Sequence, residues 1–169
     1  AFLELAARLW SKRIIWRSDL LVVIHNQSLE WHSKRFAWLT SELGGGSVRC
    51  VISFMEFYGK TKRRIAPLKG TGMQASDPPA ADKVALAQEL AAIAAKHGMA
   101  LSACCQPWQE KRPVVPASAC IDGPLLEQLF SLGLEPGKDS GQRPLCNCAP
   151  SRDIGMYDSC RFGCRYCYA

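Results

Sequence analysis

Three cysteines near the end of the 169-residue chain, Cys160, Cys164 and Cys167, stand four and three residues apart. Thiolate is the form of cysteine that binds metal. A short loop carrying three thiolates can wrap three irons of a 4Fe-4S cube and leave the fourth iron without a protein ligand. Arg161 and Arg165 lie inside the loop and supply the positive charge that favours thiolate, and Tyr166 sets an aromatic ring just before the last cysteine. Zinc is the rival metal. It needs four ligands in a closed tetrahedral site and usually takes them as two pairs. Cys146 and Cys148 could join two of the three loop cysteines to make such a site, but a C-x-C pair and a surplus third cysteine fit that pattern poorly.

Four further cysteines form a second set: Cys104, Cys120, Cys146 and Cys148. Four thiolates are what an additional 4Fe-4S cluster requires, so the cofactor expectation is one such cluster or two. The competing reading makes Cys104 and Cys120 small buried hydrophobes, and that reading is preferred for Cys50 and Cys105. The nine cysteines are an odd number, which rules out complete intramolecular disulfide pairing. No secretory leader is visible, and the longest purely apolar run, Leu20 to Ile24, falls far short of the roughly 20 residues that a membrane helix needs. A cytoplasmic protein with reduced thiols and no membrane partner is the expectation.

With 48% hydrophobic residues a chain of this length can bury a core, which argues against disorder. The net charge of +6 is spread along the sequence and is compatible with an anionic ligand, a nucleic acid or plain solubility. A nucleic-acid partner rests on the run Lys60, Lys62, Arg63, Arg64, whose commoner meaning is a solvated face. His25, His32 and His97 lack metal-ligand spacing and read as surface or capping residues. The five tryptophans read as core or interface residues.

The elements that must position these groups alternate between strand and helix. Phe2, Leu5, Leu9 and Trp10 share a helical face. The run from Arg13 through Ile24 reads as a buried strand with Arg17 and Asp19 toward its carboxyl end. Leu29, Phe36, Leu39 and Leu43 fall at helical spacing after the capping residue Ser28, and Gly44-Gly45-Gly46 stops that helix. Val48 to Phe54 is a second strand with Ser53, Glu56 and Tyr58 at or just beyond its exit. Residues 59–79 read as a long polar loop, and Asp77-Pro78 as the start of a helix ending at His97-Gly98. Met99 to Cys105 is a third strand, followed by a proline-containing loop and a short helix at about 124–132.

A β-α-β-α-β order predicts parallel strands joined by right-handed crossovers. Three such units are too few for an eight-unit barrel of about 250 residues. The expected architecture is therefore α/β, a partial (β/α) barrel forming the carboxyl part of a TIM-like barrel over residues 1–135, with a cysteine-rich segment over 136–169. On that reading the sequence is a piece of a longer protein. Barrel chemistry lies at the carboxyl ends of strands, which collects Arg17, Asp19, Glu56, Tyr58 and Cys104 on one rim.

Taken together, Trp16-Arg17-Ser18-Asp19, Cys50 through Tyr58, Cys120-Ile121-Asp122 and Cys146-Asn147-Cys148 through Cys160-x3-Cys164-x2-Cys167 resemble an uncharacterised bacterial family, domain of unknown function 1848. Its members end in a cysteine cluster like that of the radical S-adenosylmethionine enzymes. The resemblance implies an upstream portion, a catalytic 4Fe-4S cluster on Cys160, Cys164 and Cys167, and S-adenosylmethionine as second cofactor. It further implies a reductant such as flavodoxin or ferredoxin. Tyr166, Arg17 and Ser53 would contact the cofactor, and Arg17, Asp19, Glu56 and Tyr58 would be catalytic, with the substrate unassigned. The cysteine loop comes last here, whereas in radical enzymes it follows the first strand. The alternative function is a non-enzymatic iron-sulfur protein that carries electrons or senses redox state, with Cys146 or Cys148 closing the cluster.

Overall fold

Runs of β-branched and aromatic residues form strands where polar breaks bound them, and helices fill the intervals where apolar residues recur every three or four positions. The computed structural model describes every residue except Arg112, Leu134, Pro136, Asp153, Tyr157, Asp158 and 167–169. In chain order it contains α1 (Phe2–Leu9), β1 (Ile15–Leu21), α2 (Leu29–Glu42), β2 (Arg49–Phe54), α3 (Gly59–Ile65), α4 (Ala80–Lys96), β3 (Ala100–Cys104), α5 (Trp108–Lys111), β4 (Ala117–Ser118) and α6 (Gly123–Phe130). The four strands pair in parallel, in the order β1-β2-β3-β4, and form an open sheet of a mixed α/β fold. No helix among the described residues is long and apolar enough to cross a membrane.

Register divides the sheet into two chemically different faces. Trp16 pairs with Cys50 and Cys50 with Leu101, while Ile52 pairs with Ala103. Side chains alternate along a strand, so these residues share one face. On it pack Phe36 of α2 and Leu86, Ala87, Leu90 and Ala94 of α4, which bury the main core with Ile52, Phe54 and Leu101. The α4 residues recur at spacings of one, three and four, a stripe that faces the sheet along the whole helix. Truncating Leu90 to alanine in this core costs about 2–5 kcal/mol. The opposite face carries Arg17 beside Val51, Asp19 beside Ser53, Val51 beside Ser102, and Cys104 beside Ser118. A segment containing Leu145, Cys146 and Cys148 packs there against Val51, Cys104 and Cys105.

Several local expectations are met at atomic detail. Ser28 caps α2 by accepting a hydrogen bond from the Trp31 amide at 3.2 Å. The glycine run ends that helix with Gly45 at φ +79°, and a Cβ on Gly46 would stand 2.5 Å from Cε1 of Phe2, so the last glycine is needed for close packing.

Other expectations are corrected. Residues 59–65 form α3 within the expected loop: its basic run hides the helix from a search for apolar periodicity, because only Thr61 is buried. Pro79, not Asp77, precedes the first residue of α4, and Asp77 instead takes the ammonium of buried Lys83 at 2.6 Å. A fourth strand of two residues, too short to show a period, follows the proline-containing loop. The apolar stripe of α1 is largely exposed, with Leu5, Leu9 and Trp10 at the surface and Ala6 buried. His32 is buried and donates from Nε2 to the Val22 carbonyl at 2.9 Å.

Candidate functional site

The carboxyl ends of β1, β2 and β3 open onto a cavity of about 350 Å³. Its walls include Arg17, Asp19, Ser53, Glu56, Tyr58, Cys104, Cys120 and Tyr166, all of them singled out by the sequence. The register explains how the first of these meet. The unbroken register places Asp19 directly beside Ser53, just before pairing slips between Asp19 and Leu21, and the Ser53 hydroxyl donates to Oδ2 of Asp19 at 3.3 Å. Arg17, two residues earlier on the same face, sends Nη2 to that oxygen at 2.5 Å and Nη1 to the Cys120 sulfur at 3.4 Å. Burial works against the Arg17 charge, but the hydrogen bond and the negative charge of Asp19 outweigh it, and the guanidinium holds its proton more firmly than usual.

The two thiols nearest Arg17 are themselves in contact, Cys104 Sγ lying 3.4 Å from Cys120 Sγ. The hydrogen bond from Cys120 is the main influence that draws the Cys104 thiol down to about 7, with Arg17 assisting against the opposing effect of burial. The same contact, with burial, pushes the Cys120 thiol up. Behind them Cys146 and Cys148 are buried and share a hydrogen bond, and burial raises the Cys146 thiol. The Cys148 sulfur accepts from the amides of Cys120 at 3.2 Å and Ile121 at 3.5 Å. The four cysteines of the second set therefore come together from the end of β3, the turn before α6 and the C-x-C segment. Among the described residues, no three His, Cys, Asp or Glu side chains are set to hold one metal ion.

The loop cysteines stand differently. Cys160 and Cys164 are exposed free thiols, and Cys167 lies outside the described residues. The loop nevertheless touches the rim: the Tyr166 hydroxyl accepts from the Glu56 amide at 3.3 Å. Burial raises the Glu56 carboxyl above its ordinary range.

Three wall residues escaped the sequence reading. Gln106 is buried and joins the exits of two strands, its Oε1 accepting from the Phe54 amide at 2.8 Å and from Trp108 Nε1 at 2.9 Å. Its position just beyond β3 obeys the same rim rule that selected Glu56 and Tyr58. Cys105 is buried, as expected of a small hydrophobe, and also lines the cavity. Arg143 donates to the Tyr58 hydroxyl and reaches the wall from a segment with no periodic signal. A larger cavity of about 820 Å³ lies alongside, lined by Asp77, Lys83 and Trp108, and shares Glu56 with the first. None of its lining residues is a cysteine, and Cys104, Cys105 and Cys120 line the smaller one.

No curated protein and no solved structure matches the chain. The segments that resembled a family in the sequence, from Trp16 through the cysteine loop, belong to one continuous likeness, because residues 1–169 match the family described as Domain of unknown function (DUF1848), and the chain is a member of that family.

Proposed function

We propose that this protein is an iron-sulfur enzyme of the radical S-adenosylmethionine type, holding a 4Fe-4S cluster through Cys160, Cys164 and Cys167. The observation that carries the reading is the hydrogen bond from the Glu56 amide to Tyr166, because it joins the cysteine loop to the cavity at the strand exits. The donor set fits the groups required. Three closely spaced thiols and two arginines lie in the loop, and carboxylates, hydroxyls and the guanidinium groups of Arg17 and Arg143 line the cavity beside it. When bound and reduced by a flavodoxin or ferredoxin, the cluster and S-adenosylmethionine would supply a radical that abstracts hydrogen from a substrate. The chain's own residues orient what enters. Asp19 and Glu56 offer carboxylates to an ammonium or hydroxyls, Arg17 balances the charge of Asp19, and Ser53 fixes the Asp19 oxygen that Arg17 also holds.

The finer architecture belongs to the same reading. Consecutive strands lie side by side, and α2 and α4 pack on one face only, as in an arc of a (β/α) barrel and unlike a doubly wound sheet. Residues 1–135 would form that arc, in a cytoplasmic protein, and 136–169 the iron-sulfur segment on its inner side. A non-enzymatic cluster closed by Cys146 or Cys148 gains no support from packing, since both thiols are buried against Cys104 and Val51.

The test is product formation by the full-length protein, reconstituted with iron and sulfide under anaerobic conditions and reduced. It should cleave S-adenosylmethionine to 5'-deoxyadenosine, and C160A/C164A/C167A should not. A sample with a fully loaded loop that yields no product would overturn the reading.

A further inference from the structure

We propose that Cys104, Cys120, Cys146 and Cys148 are the four ligands of a second 4Fe-4S cluster, set beneath the inner face of the sheet and separate from the cluster of the carboxyl-terminal loop. The assignment deepens the function proposed above, with which it shares the need for reduced thiols.

Four sulfurs up to 44 positions apart in sequence come together, three of them buried and that of Cys120 at the exposed edge. Cys104, Cys146 and Cys148 are buried with Val51 and Cys105, and Ile15, Ala119 and Leu145 pack around them. Burial by itself is also true of Cys50, but the neighbours of Cys50 are aliphatic and aromatic, among them Phe36 and Ile52. The second set instead has donors aimed at its sulfurs. Arg17 Nη1 reaches Cys120 at 3.4 Å and also hydrogen-bonds Cys104, the Cys120 and Ile121 amides point at Cys148, and the Cys148 amide points at Cys146. Backbone amides and a cation directed at thiolates are the groups that stabilise a negatively charged cluster and set its potential.

One further feature fits an anionic group at this place. Ser118 pairs in register with Cys104 and carries a buried Oγ with no hydrogen-bond partner among the described residues. A bound sulfide or thiolate would accept from it.

Iron and acid-labile sulfide in the anaerobically reconstituted full-length protein decide the matter. Wild type should hold about eight irons and C160A/C164A/C167A about four, with a reduced-cluster electron paramagnetic resonance signal that does not change on adding S-adenosylmethionine. That triple variant leaves the buried cysteines untouched, so misfolding of a core variant does not confuse the result. Recovery of no iron in the triple variant, of one zinc, or of a Cys104–Cys120 disulfide under reducing conditions would overturn the second site. Failure of the loop reading would look different: C104S/C120S/C146S/C148S would then hold no iron while the triple variant kept its four.

Discussion

One guanidinium, that of Arg17, serves an acid and a thiol at once, with Nη2 on Asp19 and Nη1 on Cys120. Only a planar fork reaches both, so Arg17→Lys keeps the charge and loses one contact. S-adenosylmethionine cleavage should fall at least about tenfold in this variant, and the midpoint potential of the buried cluster should shift. A purely structural role for Arg17 would lower the melting temperature and leave that potential alone. Glu56 makes a separate, pH-dependent case. Burial raises its carboxyl in the folded chain, so the folded state binds that proton more tightly than the unfolded state. Ionisation therefore costs stability, in full above the folded pKa, and the cost disappears as pH falls below the unfolded value of about 4.3. Glu56→Gln should melt higher than wild type at neutral pH, with the difference closing in acid, while product formation falls. Equal melting temperatures across that range would show the carboxyl to be unperturbed. Arg17, Asp19, Ser53, Glu56 and Tyr58 were legible because a strand exit marks its neighbours as rim residues. Arg143 was not, since nothing local ties a loop arginine to Tyr58, 85 positions earlier.

At the scale of elements, two capped helices separate structural from functional effects. Ser28 caps α2 on the core side, and Asp122 caps α6 by accepting from the Leu125 amide at 3.0 Å. Losing either cap costs about 0.5–2 kcal/mol. Asp122 follows Ile121, whose amide is bound to the Cys148 sulfur, so Asp122→Ala should also reduce iron content in the C160A/C164A/C167A background. Ser28→Ala should lose similar stability in urea unfolding and keep its iron. If both variants retained iron equally, the α6 cap would have no part in holding the site. The contrast between α2 and α3 shows what a sequence can reveal at this scale. A polar cap followed by apolar residues at helical spacing announces α2, whereas Lys60, Lys62, Arg63 and Arg64 give α3 no apolar stripe at all. Helix α3 is legible only once Thr61 is seen to be buried.

For the whole molecule, the alternation of strands and helices was enough to predict a parallel sheet, because right-handed crossovers leave few other solutions. Which layer covers the second face was not legible, since the C-x-C segment has no period and its contacts are made to residues far away in sequence. Bonds that join that layer to the body include the Ala149 amide to the Ile121 carbonyl at 2.9 Å, Arg143 to the Tyr58 hydroxyl, the Glu56 amide to Tyr166 and the sulfur contacts, while the Asp139 amide bonds the Cys148 carbonyl at 2.9 Å within the layer. A cluster ligated from both sides would tie it down far more firmly. Hydrogen exchange should therefore show the amides of Cys120, Ile121, Asp139 and Ala149 at least about tenfold better protected in the iron-loaded than in the iron-stripped protein. The Phe54 amide is held by buried Gln106, and the Met99 amide by the Ala94 carbonyl at the end of α4; both should exchange alike in the two forms. Equal protection of all these amides with and without iron would mean that the cysteine segment packs by its apolar contacts alone. A loss confined to the first four would locate the iron between the sheet and the segment that covers it.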